Sequence, residues 1–189
     1  MWWSSLRQRP ALAWTARFAV VLTVAGLTAG CWQPLYGARP PGGEGVQDKF
    51  AAVDIPPIAA PKGTPTERVA IGLRNALQFD LHNGQNTFAP VCALKVGVGS
   101  SQFTAYVDPT TGRPDSQIEI VSASYQLIEL ATGKIVLNDV TFVHVDYDIP
   151  GSQQRFAGQR ARRDAEDRAI QVAADMIRNR LASYFVAGT

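Results

Sequence analysis

From Cys92 onward, apolar and other positions alternate with a period of two: Cys92, Leu94, Val96 and Val98 against Ala93, Lys95, Gly97 and Gly99. Successive side chains of an extended chain point to opposite faces, so the pattern predicts a strand, which resumes over 103–107. A second strand is expected at about 117–130, with Val121, Ala123, Tyr125 and Leu127 on one face. A third is expected at about 134–147, with Leu137, Val143, Val145 and Tyr147 on one side and Val140 and Phe142 on the other. The stretch 108–115, DPTTGRPD, has turn chemistry, and Thr132-Gly133 suits a tight hairpin tip. Three consecutive antiparallel strands form a meander.

Elsewhere the period is helical. Val69, Leu73, Ala76, Leu77 and Leu81 share one face of a helix over 65–82, which Thr64 starts as N-cap, with Pro65 in the first turn and Glu67 completing a capping box. Asn83-Gly84 is its stop signal. After the break at Pro150-Gly151-Ser152, Ile170, Ala173, Ile177, Leu181 and Tyr184 mark the core face of a second helix, secure over 164–185, where Asp164 and Arg168 stand at i,i+4. A short strand over 49–55, with Ala51, Val53 and Ile55 alternating, precedes Pro56-Pro57 and Pro61. The order β-α-β-β-β-α predicts an α+β two-layer sandwich: a four-stranded, mainly antiparallel sheet with two helices on one face.

The first 30 residues differ in kind. Positions 1–17 carry Arg7, Arg9 and Arg17 and no acid, and 18–30, FAVVLTVAGLTAG, are uncharged and apolar or small. A helix of that length falls short of the ~20 residues needed to span a bilayer, whereas a positive start, short apolar run and small-residue end make a secretory signal. Removing 1–30 leaves 159 residues with 15 basic and 16 acidic side chains. The net basicity of +2 therefore belongs to the leader, and no basic nucleic-acid footprint remains. A chain of that size buries roughly 68–70% of its unfolded surface in one core. The expected organisation is a signal peptide at 1–30, a Gly/Pro-rich tether at 31–47 and one α+β domain at 48–189.

Leu27-Thr28-Ala29-Gly30-Cys31 resembles the bacterial lipobox, in which small residues precede a cysteine that takes up diacylglycerol; Thr28 stands where an aliphatic residue is usual. The resemblance implies cleavage before Cys31 and acylation of its sulfur. Several acyl chains, each worth ~0.8 kcal/mol per buried CH₂, hold a protein far more firmly than a single myristoyl does. Trp32 rather than Asp after the cysteine implies the outer membrane. With Cys31 a thioether, Cys92 is the one remaining thiol of two cysteines, and it is read as a small buried hydrophobe.

Catalytic signals are sparse. No GxSxG, P-loop, GxGxxG or HExxH occurs. His82 ends a helix. His144 and Asp146 share a strand face, which could orient an imidazole, yet Ser122 and Ser124 lie in a strand with no nucleophile elbow. Asp146 and Asp148 are too few for a calcium cage. No enzyme activity, cofactor or metal is expected. Arg155, Arg160, Arg162, Arg163 and Arg168 suit phosphate by their planar forks, but Asp164, Glu166 and Asp167 nearly cancel them, as on a solvated helix start.

The run Cys31-Trp32-Gln33-Pro34-Leu35-Tyr36-Gly37 and the closing stretch from Phe156-Ala157-Gly158 through Asp164-Ala165-Glu166-Asp167-Arg168 to Ser183-Tyr184-Phe185 resemble the lipopolysaccharide-assembly lipoprotein family LptE in its alphaproteobacterial form. The resemblance implies a non-catalytic outer-membrane lipoprotein that sits in the lumen of an LptD-type β-barrel, supports its assembly and helps place lipopolysaccharide in the outer leaflet. Arg113, Lys134, Arg162 and Arg163 are then the candidate contacts for anionic lipid. A second reading is a periplasmic lipoprotein adaptor of a lipid-transport ABC system. A third, a hydrolase built on His144 and a serine, lacks a nucleophile.

Overall fold

A computed structural model describes residues 45–83, 89–149 and 155–187. The leader, Cys31, the tether up to residue 44 and the break at 150–152 lie outside the described residues. The elements are α1 (Val46–Ala51), β1 (Val53–Asp54), α2 (Pro65–His82), β2 (Cys92–Val107), β3 (Pro114–Glu129), β4 (Ile135–Asp148) and α3 (Arg155–Ala187). The sheet order is β1-β2-β3-β4, with β1 parallel to β2 and the other pairs antiparallel.

Strand parity decides what is buried. Val121, Ala123, Tyr125 and Leu127 of β3 and Leu137, Val143, Val145 and Tyr147 of β4 are all buried, whereas Val140 and Phe142 are exposed. Helix α2 covers β2, and α3 covers β3 and β4 from the same side. The helices meet closely: a Cβ on Gly72 would stand 2.8 Å from Cδ1 of Ile170. Fully or nearly fully buried Leu73, Leu77, Leu81, Ile177 and Leu181 fill the layer between helices and sheet.

Several expectations are corrected. Of the strand expected over 49–55, only Val53 and Asp54 are strand, while Lys49, Phe50 and Ala51 end a helix. In a strand with Val53 and Ile55 inward, Phe50 would face water; a helical turn instead buries it completely against Phe185, with ring centroids 5.8 Å apart. The Asp48 carboxylate accepts the Gly45 N–H at 2.9 Å, so Val46 and Gln47, expected in the tether, belong to α1. Pairing of β1 with β2 stops at Asp54, because Pro56 and Pro57 have no N–H to offer a ladder. Glu67 reaches the N–H of Gly63, at 2.6 Å, rather than that of Thr64, while Thr64 Oγ1 accepts from the Glu67 N–H at 3.3 Å. Asn83 ends α2 in the left-handed region, φ 48°. His82 Nε2 lies 2.8 Å from the Val53 carbonyl, tying α2 to β1. β2 runs unbroken through 99–102, and α3 begins at Arg155, nine residues before the secure part of the expected helix.

These parities carry a test. Leu127→Ala, at a fully buried position, is expected to lower unfolding free energy by about 2–5 kcal/mol. Phe142→Ala on the exposed face should stay within about 0.5 kcal/mol. Urea denaturation of both variants measures the difference.

Candidate interaction surface

The inward side of β3 changes character along its length. Apolar from Leu127 to Val121, it ends in Glu119, which is fully buried; Glu166 of α3 is fully buried facing it. Arg162 stands between the two carboxylates, its Nε 3.0 Å from Glu166 Oε1 and 3.6 Å from Glu119 Oε2. Arg68 of α2 reaches the other Glu166 oxygen, and Ser100 of β2 donates to Glu119 at 2.6 Å. Beyond this cluster Tyr147 accepts from Gln102 at 2.7 Å and donates to Gln117 at 2.6 Å. Burial raises the Tyr147 pKa, and Glu119 and Glu166 add to the shift.

Past that polar seal 101–107 and 109–115 are exposed throughout, and beyond the Ser116–Asp148 pair the β2–β3 hairpin runs on without β4 beside it. An irregularity in pairing between Thr104 and Tyr106 sets Tyr106 opposite Ser116, which puts its ring on the same outward face as Phe103. With Val140 and Phe142, these side chains make the uncovered sheet face apolar at several points. Between them runs a flat strip, where Ser122 and Ser124 lie so close over Gly99 and Gly97 that added Cβ atoms would come within 2.7 and 3.0 Å of the hydroxyls.

The two hairpin turns are built alike. Asp108 accepts the Thr110 N–H at 2.8 Å and the Thr111 hydroxyl at 2.7 Å, and these bonds hold its carboxyl below the usual range, the Thr111 contact first. Glu129 accepts the Thr132 hydroxyl at 2.6 Å. Gly112 and Gly133 both take positive φ, 67° and 69°, where a Cβ is disfavoured. The pattern acid-x-x-Thr-Gly-base, in DPTTGR and ELATGK, is a sequence signal for this shared turn.

Among the candidate contacts, Arg113, Lys134 and Arg163 are exposed, whereas Arg162 is engaged by Glu119 and Glu166. Glu166 is thus an internal partner and not part of a solvated helix start. Arg113 and Lys134 cap opposite ends of the 16-residue strand β3, about 50 Å apart at ~3.3 Å per residue, so one small ligand cannot bridge them. Arg168 pairs with Asp164 at 2.9 Å, as the spacing predicts. His144 and Asp146 are both exposed on the outer face, but His144 sits opposite Ile120, and Ser122 opposite Phe142. Among the described residues no group of three or more His, Cys, Asp or Glu gathers as a metal site, and no helix is long and apolar enough to cross a membrane.

Cys92 is half-buried rather than core. Burial raises its thiol pKa, with Glu129 contributing. It lines a cleft of ≈ 600 Å³ with Ala52, Val91, Val136 and Phe185. Lys49 also borders the cleft and donates to the Phe185 carbonyl at 3.0 Å, a favourable placement for a cation near a helix C-terminus.

No family model matches the sequence, and no curated protein matches it. Solved structures do match the fold. A Caulobacter crescentus protein assigned as a lipoprotein aligns with TM-score 0.57 at 19% identity, covering 75% of this chain and 96% of that one. Rare lipoprotein B of Shewanella oneidensis gives 0.51 at 17%, covering 71% and 96%. A lipoprotein B of Nitrosomonas europaea gives 0.51 at 10%, covering 80% and 94%. The chain therefore has the two-layer α+β fold found in these bacterial lipoproteins.

Two substitutions test the polar layer. Glu166→Ala removes the shared partner of Arg162 and Arg68, leaving Arg162 to Glu119 alone, and is expected to lower stability by about 1–3 kcal/mol, whereas Asp164→Ala, which removes an exposed pair, should change it by less than about 0.5 kcal/mol; thermal unfolding compares them. The hydroxyl of Tyr125, a residue 3% exposed, is pushed up to about 12 by burial, with Asp139 adding to the shift and Arg180 opposing it. The unfolded chain ionises near the ordinary tyrosine value of ~10. The stability contributed by the neutral hydroxyl is therefore whole below pH ~10 and is lost as pH rises toward ~12. Urea midpoints are expected to fall across that window, and less steeply in Tyr125→Phe.

Proposed function

We propose that the chain is a lipid-anchored lipoprotein on the periplasmic side of the outer membrane, cleaved before Cys31 and acylated there. On this reading it plugs and supports assembly of an LptD-type β-barrel and helps deliver lipopolysaccharide, without catalysis. The observation that carries the reading is the shared fold: lipoproteins, one of them a rare lipoprotein B, align over most of their own length with a chain that itself bears a lipobox-like Leu27–Cys31 run. The sequence resemblance to the LptE family supports the narrower partner and cargo.

Physical features agree with a plug. A large barrel encloses an aqueous lumen that a folded domain can fill. The chain after the leader is near neutral, and the far part of its β2–β3 hairpin, 101–107 and 109–115, is exposed. Arg113, Lys134 and Arg163 are the exposed cations offered to lipid phosphates. Arg162 contributes indirectly, by holding Glu119 and Glu166.

Labelled fatty acid is expected to mark the wild type and not Cys31→Ser, with the variant left uncleaved or soluble. Gentle detergent extraction should recover the wild type with a large outer-membrane barrel. Recovery of the lipoprotein alone from an extract in which such barrel complexes survive would refute the plug, and crosslinking to inner-membrane transporter components would favour an ABC-system adaptor.

A further inference from the structure

β4 is the last strand of the sheet, and among the described residues no strand pairs with its outer edge. Three hydrogen bonds fix which of its backbone groups face that edge. Ile149 donates its N–H to the Asp115 carbonyl at 2.7 Å, so odd-numbered residues turn toward β3. Val140 donates its N–H to the Asp139 carboxylate at 2.8 Å, and the Asp146 carbonyl accepts from Arg168 at 3.4 Å, so even-numbered residues turn away. Edge-facing groups recur at every second residue of an antiparallel strand. The N–H and C=O of Phe142 and His144 therefore point outward between two blocked positions. Open rungs of this kind are a template for another strand.

Helix α3 runs beside this edge and makes it one wall of a groove. Arg168 holds the Asp146 carbonyl, and Arg180 holds the Asp139 carboxylate at 3.0 Å. Between the two arginines, Val172 and Met176 follow in steps of four along the same side of the helix, 46% and 44% exposed. The stretch from Arg168 to Arg180 is about 18 Å of helix at 1.5 Å per residue, the length of about five strand residues at ~3.3 Å each. A shallow cleft of ≈ 630 Å³ lies in this groove, lined by His144 and Asp146 of β4 and by Asp167, Arg168, Gln171 and Val172 of α3.

The chemistry of the groove selects its occupant. A lipid chain would cover Val172 and Met176 but leave the backbone N–H and C=O groups without partners. An extended peptide answers both needs. Arg168 is already paired with Asp164 at 2.9 Å, so Asp146 and Asp167 leave that end of the groove acidic and suited to a cation. β4 carries Asp139, Asp146 and Asp148 but no Lys or Arg. A second copy pairing edge to edge would bring further acids to the groove and not the missing base.

We propose that the β4 edge and α3 bind an extended segment of another protein as a fifth, antiparallel strand. The segment has apolar side chains at alternate positions, over Val172 and Met176, and a Lys or Arg at its amino end, beside Asp146 and Asp167. Main-chain bonds to Phe142 and His144 supply affinity, and the side chains in the groove set the register. The site depends neither on acylation nor on the barrel reading.

The test titrates the full chain in detergent with a short fluorescent peptide of alternating valine and threonine, with lysine at its amino end. Saturable binding is expected. In the bound state the Phe142 and His144 amides should exchange hydrogen about tenfold more slowly or better, while the Val143 amide, bonded within the sheet, is unchanged. N-methylating the peptide amides that face β4 should weaken binding by about tenfold or more. Asp167→Lys should weaken this peptide about fivefold and strengthen, by a similar factor, one ending in glutamate. Absence of saturable binding, indifference to N-methylation, or unprotected Phe142 and His144 amides would each overturn the proposal. Protection of those amides that appears without peptide and grows with protein concentration would make the occupant a second copy, and overturns it equally.

Discussion

Two carboxylates without access to water have to be matched inside this protein. Glu119 and Glu166 face each other where the apolar layer between sheet and helices ends, and Arg162, Arg68 and Ser100 converge on them from α3, α2 and β2. An ion in such a place stabilises little by itself, because desolvation offsets most of the attraction, but an unpaired one is strongly unfavourable. The partners come from three separate elements, so the cluster ties α3, α2 and β2 to the inward end of β3. It also closes the core: below it side chains are apolar and buried, and above it the hairpin stands in solvent.

The rest of the architecture follows from a sheet with one covered face. Inward parity builds the core, and α2 and α3 approach closely enough that Gly72 leaves no room for a side chain against Ile170. The opposite face is left with Phe103, Tyr106, Val140 and Phe142 exposed beside a smooth strip of glycine and serine. Chain ends and hairpin turns then divide the molecule lengthwise. The 129–134 turn, α1 and the end of α3 gather at one end, and the projecting 108–113 turn lies at the other. Such polarity suits a protein tethered at one end and engaging a partner along its length.

Much of this was legible from local pattern. The residues that the alternation in β3 and β4 put on the inward face are all buried, because a period of two is set by backbone geometry alone. Thr64-Pro65 and Asn83 marked the ends of α2 because caps and left-handed residues are local chemistry. Misreadings came where a distant partner decided the outcome. Phe50 is drawn into a helical turn by Phe185, 135 residues away. Glu166, read as a surface acid, is internal because Arg68 and Arg162 are there to meet it. Cys92 belongs to an apolar alternation but lies where the sheet edge opens into a cleft.

Sequence alone therefore determined the three long strands, their faces and the two long helices, since each depends on residues within a turn or two of one another. Tertiary structure decided which charges are buried, how the turn before β1 folds, and that Arg113 and Lys134 sit at opposite ends of the molecule. Those outcomes depend on which side chains from separate elements meet, and only the packing of the helices on the sheet brings such side chains together.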